Sequence, residues 1–283
     1  MEIERVGVVG SGTMGHGIAQ VSAMSGFETV ILDVKQEFLD GAMKRISSSL
    51  DKMVEKGKIT KGVKDDTLVR IKTTLDYNDL AYCDIVIEAA LEKPDVKGRV
   101  FRQLDSVCKR DAILATNTSS ISIDEIAKFT KRPEKVVGMH FFNPVQVMKL
   151  VEVVKGKRTS DDVAQKVREL SEKMGKIPVI VNDAPGFVSN RVLMPMINEA
   201  VFALHEGVST KEGIDSVMKL GANHPMGPLE LADLVGLDVC LDIMNVLHSA
   251  FKDNKYRPCP LLAKMVKDGK LGRKTGEGFY RYK

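Results

Sequence analysis

Val6-Gly7-Val8-Val9-Gly10-Ser11-Gly12-Thr13-Met14-Gly15 decides the fold. A short β-branched run passes straight into G-x-G-x-x-G, and the small residues Gly17 and Ala19 follow. Glycines cluster in many turns. What makes this cluster specific is its place, directly after a strand and opening a helix, predicted over 14–25. In that setting Gly10 permits a tight turn and Gly12 lets the backbone approach a pyrophosphate. Gly15 permits close helix–strand packing, and the helix N-terminus faces the phosphate charge. Ser11, Thr13 and Met14 complete the loop, and Gly26 stops the helix.

Working outward, the next strand (29–32) ends at Asp33, 18 residues after Gly15. A carboxylate there can hold both ribose hydroxyls of NAD and repel the extra phosphate of NADP. It could instead cap the following helix. Lys35 would soften the exclusion of NADP, and FAD enzymes share the fingerprint, so the motif alone leaves the redox cofactor open.

Further buried strands are predicted over 84–88, 112–116, 135–139, 150–154 and 177–181, with helices over 36–55, 95–109, 123–129 and 161–174. Pro94 starts one of them, where its missing N–H is harmless. Past Asn182 the alternation ends and helical segments follow, punctuated by Pro185-Gly186, Gly207, Gly221, Pro225 and Pro258. Ser209 and Glu212 have capping-box spacing and mark one helix start. The expected fold is α/β: a Rossmann-like doubly wound sheet over 1–183, then an all-helical domain over 184–283.

Composition narrows the function. The 283 residues are 43% hydrophobic and 28% charged, with a net charge of +4. That excess is too small, and too dispersed, for a nucleic-acid groove. Cys83, Cys108, Cys240 and Cys259 lack metal-ligand spacing and read as reduced thiols of a cytoplasmic protein. The acidic start Met1-Glu2-Ile3-Glu4 argues against a signal peptide. Residues 6–27 carry no formal charge, but the glycine turn cuts them in two, which argues against a membrane span.

Two segments are chemically unusual. Gly138-Met139-His140-Phe141-Phe142-Asn143-Pro144 places a histidine at the end of a strand, where ligands of open α/β sheets lie. In Leu150-Val151-Glu152-Val153-Val154 neither strand face reads as solvated, so Glu152 is expected to be buried and in need of a partner. A His140–Glu152 pair would answer that need and orient a general acid/base. The alternatives are a core histidine and an edge strand with Glu152 facing water. The five histidines show no metal-ligand spacing, and there is no serine nucleophile elbow.

Asn117-Thr118-Ser119-Ser120, His140 to Pro144, Pro185-Gly186-Phe187-Val188-Ser189-Asn190-Arg191 and Gly272-Arg273-Lys274-Thr275-Gly276-Glu277-Gly278-Phe279-Tyr280 occur in this order along the whole chain. With the N-terminal fingerprint, the chain resembles the 3-hydroxyacyl-CoA dehydrogenase family, and within it the short bacterial members. The resemblance implies NAD-dependent interconversion of 3-hydroxyacyl-CoA, 3-hydroxybutyryl-CoA among them, with the 3-ketoacyl-CoA. A related dehydrogenase of a free hydroxy acid or sugar acid is the alternative. The resemblance makes His140 the acid/base, Glu152 its partner, and Ser119 and Asn190 contacts of the reacting oxygen or thioester. Glu92, Lys97, Asn143 and Lys274 would line the cofactor site, and Ser49 and Lys56 would meet the CoA moiety. Spacing selects none of these six, since a lysine on a helix surface is usually just solvated. A homodimer or higher homo-oligomer is implied as well. Ser119 could also cap the helix over 123–129, a task equally open to Ser120 or Ser122.

Overall fold

In a computed structural model describing residues 2–282, the chain divides into two compact units, Met1–Asp183 and Ala184–Lys283. The first is built on strands β1 (Arg5–Val9), β2 (Glu28–Leu32), β3 (Ile71–Thr74), β4 (Ile85–Glu88), β5 (Ile113–Thr116), β6 (Val136–Phe141), β7 (Leu150–Lys155) and β8 (Ile177–Asn182). Their order across the single sheet is β3-β2-β1-β4-β5-β6-β7-β8. The first six of these are mutually parallel, β7 runs antiparallel to β6, and β8 follows β7 in parallel. Order reverses between β1 and β4, so the loop after β1 opens onto the crevice where such sheets bind ligands.

Buried β-branched residues explain the sheet. Val6, Val8, Ile31, Ile85, Ile87, Ile113, Val137, Val151 and Val153 are each at most 1% exposed. Helices α1 (Gly15–Met24), α2 (Gln36–Glu55), α3 (Lys61–Val69), α4 (Pro94–Val107), α5 (Ile123–Ala127) and α6 (Asp161–Lys173) complete the unit. On α2 the buried residues Leu39, Ala42, Ile46 and Leu50 fall at helical spacing. Only that stripe enters the core, and a basic face is left outside.

The sheet holds one strand more than the sequence reading gave. β3 is Ile71-Lys72-Thr73-Thr74, an edge strand with one buried residue, and α3 before it buries only Thr67. Neither has the apolar content that periodicity needs. β6 also runs two residues further than expected, so His140 lies inside the strand rather than beyond it. The uncharged run 6–27 is β1, a turn and α1. Among the described residues no single helix is long and apolar enough to cross a membrane.

The second unit is helical: α7 (Ser189–His205), α8 (Lys211–Gly221), α9 (Pro228–Val235), α10 (Leu237–Phe251) and α11 (Pro260–Lys267). They surround Met194, Ile197, Val201, Leu229, Leu237, Leu247 and Leu262. The capping residue of α8 is Thr210, whose side chain accepts from Gly213 N–H, so the expected cap at Ser209 is off by one. Buried Asp233 pins the C-terminal segment, accepting from Phe279 N–H (2.9 Å), Tyr280 N–H (2.8 Å) and Tyr282 O–H (2.9 Å). Burial and that bond push the Tyr282 phenol up to about 12. All four cysteines are buried and free. Burial pushes the Cys83 thiol up to about 12, leaving it protonated and unreactive near neutral pH.

Candidate active site

The glycine loop is closed by backbone contacts. Gly10 has φ +95°, and a Cβ there would lie 2.6 Å from the Ala89 carbonyl oxygen. A Cβ on Gly15 would stand 1.8 Å from the Gly10 carbonyl oxygen, whereas a Cβ on Gly12 meets nothing within 4 Å. Two glycines therefore permit the fold, and the third leaves open space on the ligand side of the loop, which is the cradle a pyrophosphate requires.

The loop is also tethered. Ser11 N–H and Oγ–H both donate to Asp33 Oδ2, at 2.7 and 2.6 Å. Arg45, on α2, donates to the Ser11 carbonyl at 3.0 Å. Asp33 does not cap the helix, because the capping position of α2 is Lys35. Its other oxygen accepts from Val34 N–H. Met14 is the residue before α1 rather than its first residue, and Thr13 is exposed.

His140 and Glu152 face each other directly across the β6–β7 ladder. Antiparallel pairing puts opposed side chains on one face, and His140 Nδ1 lies 2.8 Å from Glu152 Oε2. They are 7% and 2% exposed. β8 covers the far edge of β7, so the water-facing alternative for Glu152 is overturned. A carboxylate at Nδ1 can only accept, which orients the ring and favours the tautomer with its proton on Nδ1. The Phe142 ring packs at 4.7 Å between centroids.

The ends of β4 and β5 carry a polar network. Lys97, 1% exposed, is not the solvated lysine its helix suggested: its ammonium reaches both oxygens of Glu88 (2.8 and 2.9 Å) and Glu92 (3.2 Å). Glu92 Oε1 accepts from Thr118 Oγ1 (2.5 Å), Ser119 N–H (2.8 Å) and Ser120 N–H (3.1 Å). Burial would raise the Glu92 carboxyl, but the Lys97 charge and these bonds outweigh it and hold it below its ordinary value. Ser122, not Ser119, caps α5. Asn117 Oδ1 accepts from Phe141 N–H at 2.8 Å, tying the end of β5 to that of β6. Glu88 is not among the residues that motif or spacing selects. Its one trace in the sequence is a charge ending the run Ile85-Val86-Ile87.

Ser49 and Lys56 lie in a groove of about 660 Å³ in the first unit, whose lining includes Lys44, Arg45, Lys52 and Lys58. Arg45, Ser49, Lys52 and Lys56 recur at three- and four-residue steps, the outer stripe of α2 and its end. The lining also includes Pro144, Gln146 and Val147, the first of them in the cis Asn143–Pro144 bond. Asn143 itself is exposed. The remaining two candidates belong to the second unit. Asn190 is 8% exposed in the first turn of α7. Lys274 donates to both carboxylate oxygens of Asp238. Among the described residues no group of three His, Cys, Asp or Glu side chains is placed to hold a metal ion.

Residues 5–184 match the model of the 3-hydroxyacyl-CoA dehydrogenase NAD binding domain, and residues 186–282 match that of the family's C-terminal domain. A 3-hydroxybutyryl-CoA dehydrogenase of Clostridioides difficile is 54% identical over 98% of this chain and 99% of its own. Another, from Bradyrhizobium diazoefficiens, is 50% identical over 99% and 96%. The crystal structure of (S)-3-hydroxybutyryl-CoA dehydrogenase from Ralstonia eutropha superposes with a TM-score of 0.98 at 49% identity, covering all of both chains.

Proposed function

The chain belongs to the 3-hydroxyacyl-CoA dehydrogenase family, and from that premise we propose how its residues divide the work of interconverting 3-hydroxybutyryl-CoA and acetoacetyl-CoA. The buried His140–Glu152 pair, at the ligand-binding edge of the sheet, carries the reading. NAD supplies the hydride acceptor for C3 of the substrate when bound. Gly10, Ser11, Gly12, Thr13, Met14 and Gly15 hold its pyrophosphate, and Asp33 its ribose. Glu92 and Asn143 would line its remaining surface, with Lys97 behind Glu92.

Oxidation of the alcohol requires loss of the hydroxyl proton. His140 Nε2 takes it, and Glu152 keeps Nδ1 protonated while offsetting the charge that forms on the ring. Ser119 holds the reacting oxygen or the thioester, a contact the family resemblance also implies for Asn190. In the reverse direction the same histidine returns the proton.

The basic stripe of α2 supports a CoA thioester over a free acid, because phosphates need cations and a small keto acid does not reach them. Ser49 and Lys56 meet the CoA moiety there. Exposed apolar side chains such as Val217 and Leu220, 67% and 87% exposed on α8, support a homodimer, and the buried thiols suit the cytoplasm.

Reversing Lys52 and Lys56 to Glu tests the groove. An exposed ion pair is worth up to about 1 kcal/mol, so reversing two cations should raise KM for acetoacetyl-CoA by about tenfold or more. kcat and NADH affinity should stay within about twofold, because neither lysine touches the glycine loop or the His–Glu pair. An unchanged KM would place the CoA moiety elsewhere.

A further inference from the structure

We propose that Glu88 is a positioning residue for the reaction, setting through Lys97 and Glu92 the turn that presents Ser119. Glu88 ends β4 at 0% exposure, directly after three fully buried apolar residues. A carboxylate in such a place is tolerated only when every lone pair is used. Here Lys97 reaches both oxygens, Thr116 Oγ–H donates to Oε2 (2.7 Å) and Ala90 N–H donates to Oε1 (2.7 Å).

From Glu88 two routes lead to one turn. Lys97 has three protons and three carboxylate oxygens in reach, two on Glu88 and one on Glu92. Its donors are matched, so it acts through Glu92 and not on a ligand. By occupying Glu92 Oε2 it turns Oε1 toward Thr118, Ser119 and Ser120. In the second route Thr116, bonded to Glu88, accepts from Thr118 N–H at 3.2 Å. The turn at 118–120 is thus fixed at its start by Thr116 and along its length by Glu92, and Glu88 is the group common to both.

The network is costly to bury and lies at the carboxyl ends of β4 and β5. A purely structural task there would be served as well by apolar side chains. Its output is the position of the turn, set through the Ser119 and Ser120 N–H groups that Glu92 holds, and with it the placement of the Ser119 side chain. The inference rests on the reading of Ser119 as a contact of the reacting substrate.

Glu88→Gln keeps the shape and an acceptor for Thr116 but removes the charge that centres Lys97. kcat should fall by about tenfold to a hundredfold, the scale of a slightly misplaced group. NADH affinity, read from the fluorescence of the bound nucleotide, should fall by no more than about threefold, less than kcat, because Glu92 is one contact among several and the glycine loop is untouched. The decisive comparison is with Ser119→Ala. If Glu88 acts through Ser119, adding Glu88→Gln to Ser119→Ala should cost no more than about twofold further.

Where Glu88→Gln alone fails to fold, Glu88→Gln with Lys97→Met removes the pair together, so neither Glu88 nor Lys97 is left as a buried unpaired charge. It should fold, bind NADH and still lose kcat, because Glu92 has lost its holder. Full kcat in the folded variant, or an undiminished loss in the Ser119→Ala background, overturns the proposal. Full kcat in Ser119→Ala itself overturns instead the role of Ser119, and the proposal with it.

Discussion

Glu152→Gln should lower kcat by about 10²–10⁴ while NADH affinity stays within about threefold. The substitution keeps the size of a side chain that is 2% exposed and leaves the β6–β7 ladder intact. What changes is the partner of His140 Nδ1, now 2.8 Å from a carboxylate oxygen. A carboxylate accepts from Nδ1–H and favours the charged ring that forms when Nε2 takes the substrate proton. An amide offers no charge. If its N–H₂ turns toward the ring it also favours the opposite tautomer, with the proton on Nε2 and no base left for the substrate. Both changes act on the proton-transfer step and neither on the dinucleotide loop, so the loss belongs in kcat. A variant with full kcat would remove the pair from the mechanism.

The second large effect separates folding from cofactor binding at adjacent glycines. A methyl group at Gly12 meets nothing within 4 Å, whereas at Gly15 it would stand 1.8 Å from a backbone carbonyl oxygen. Gly12→Ala should therefore keep the thermal midpoint of the parent. It should nevertheless weaken NADH binding by about tenfold to a hundredfold, because the methyl group takes the space of the pyrophosphate. Gly15→Ala should lose both, since loop and helix must part before any ligand arrives. Calorimetry of melting and a binding titration on the two variants check this. Unchanged NADH affinity in Gly12→Ala would mean the dinucleotide does not lie on this loop.

Much of this architecture is legible in the sequence because its determinants are local. The glycine fingerprint and the apolar strands each announce themselves within ten residues or so, and Asp33 follows 18 residues after Gly15. β3 and α3 do not. β3 is held by pairing with β2, and α3 by a capping threonine and a single buried residue, none of which creates periodicity. The environment of Lys97 was hidden for a related reason. A lysine on a helix reads as solvated, and only the fold brings Glu88, from a strand nine residues earlier, onto its ammonium. The His140–Glu152 contact sat between these extremes. The need of Glu152 for a partner could be read from two apolar strand faces, but the antiparallel register that supplies His140 could not.

On the proposed reading this chain acts on a CoA thioester, with NAD and the His140 pair doing the chemistry. Consumption of NADH, followed by its absorbance with acetoacetyl-CoA and with free acetoacetate at matched concentrations, tests it most directly. The thioester should be reduced with kcat/KM at least about 10²-fold above that of the free acid, because the remote CoA contacts are available only to it. Equal or faster turnover of free acetoacetate would contradict the account.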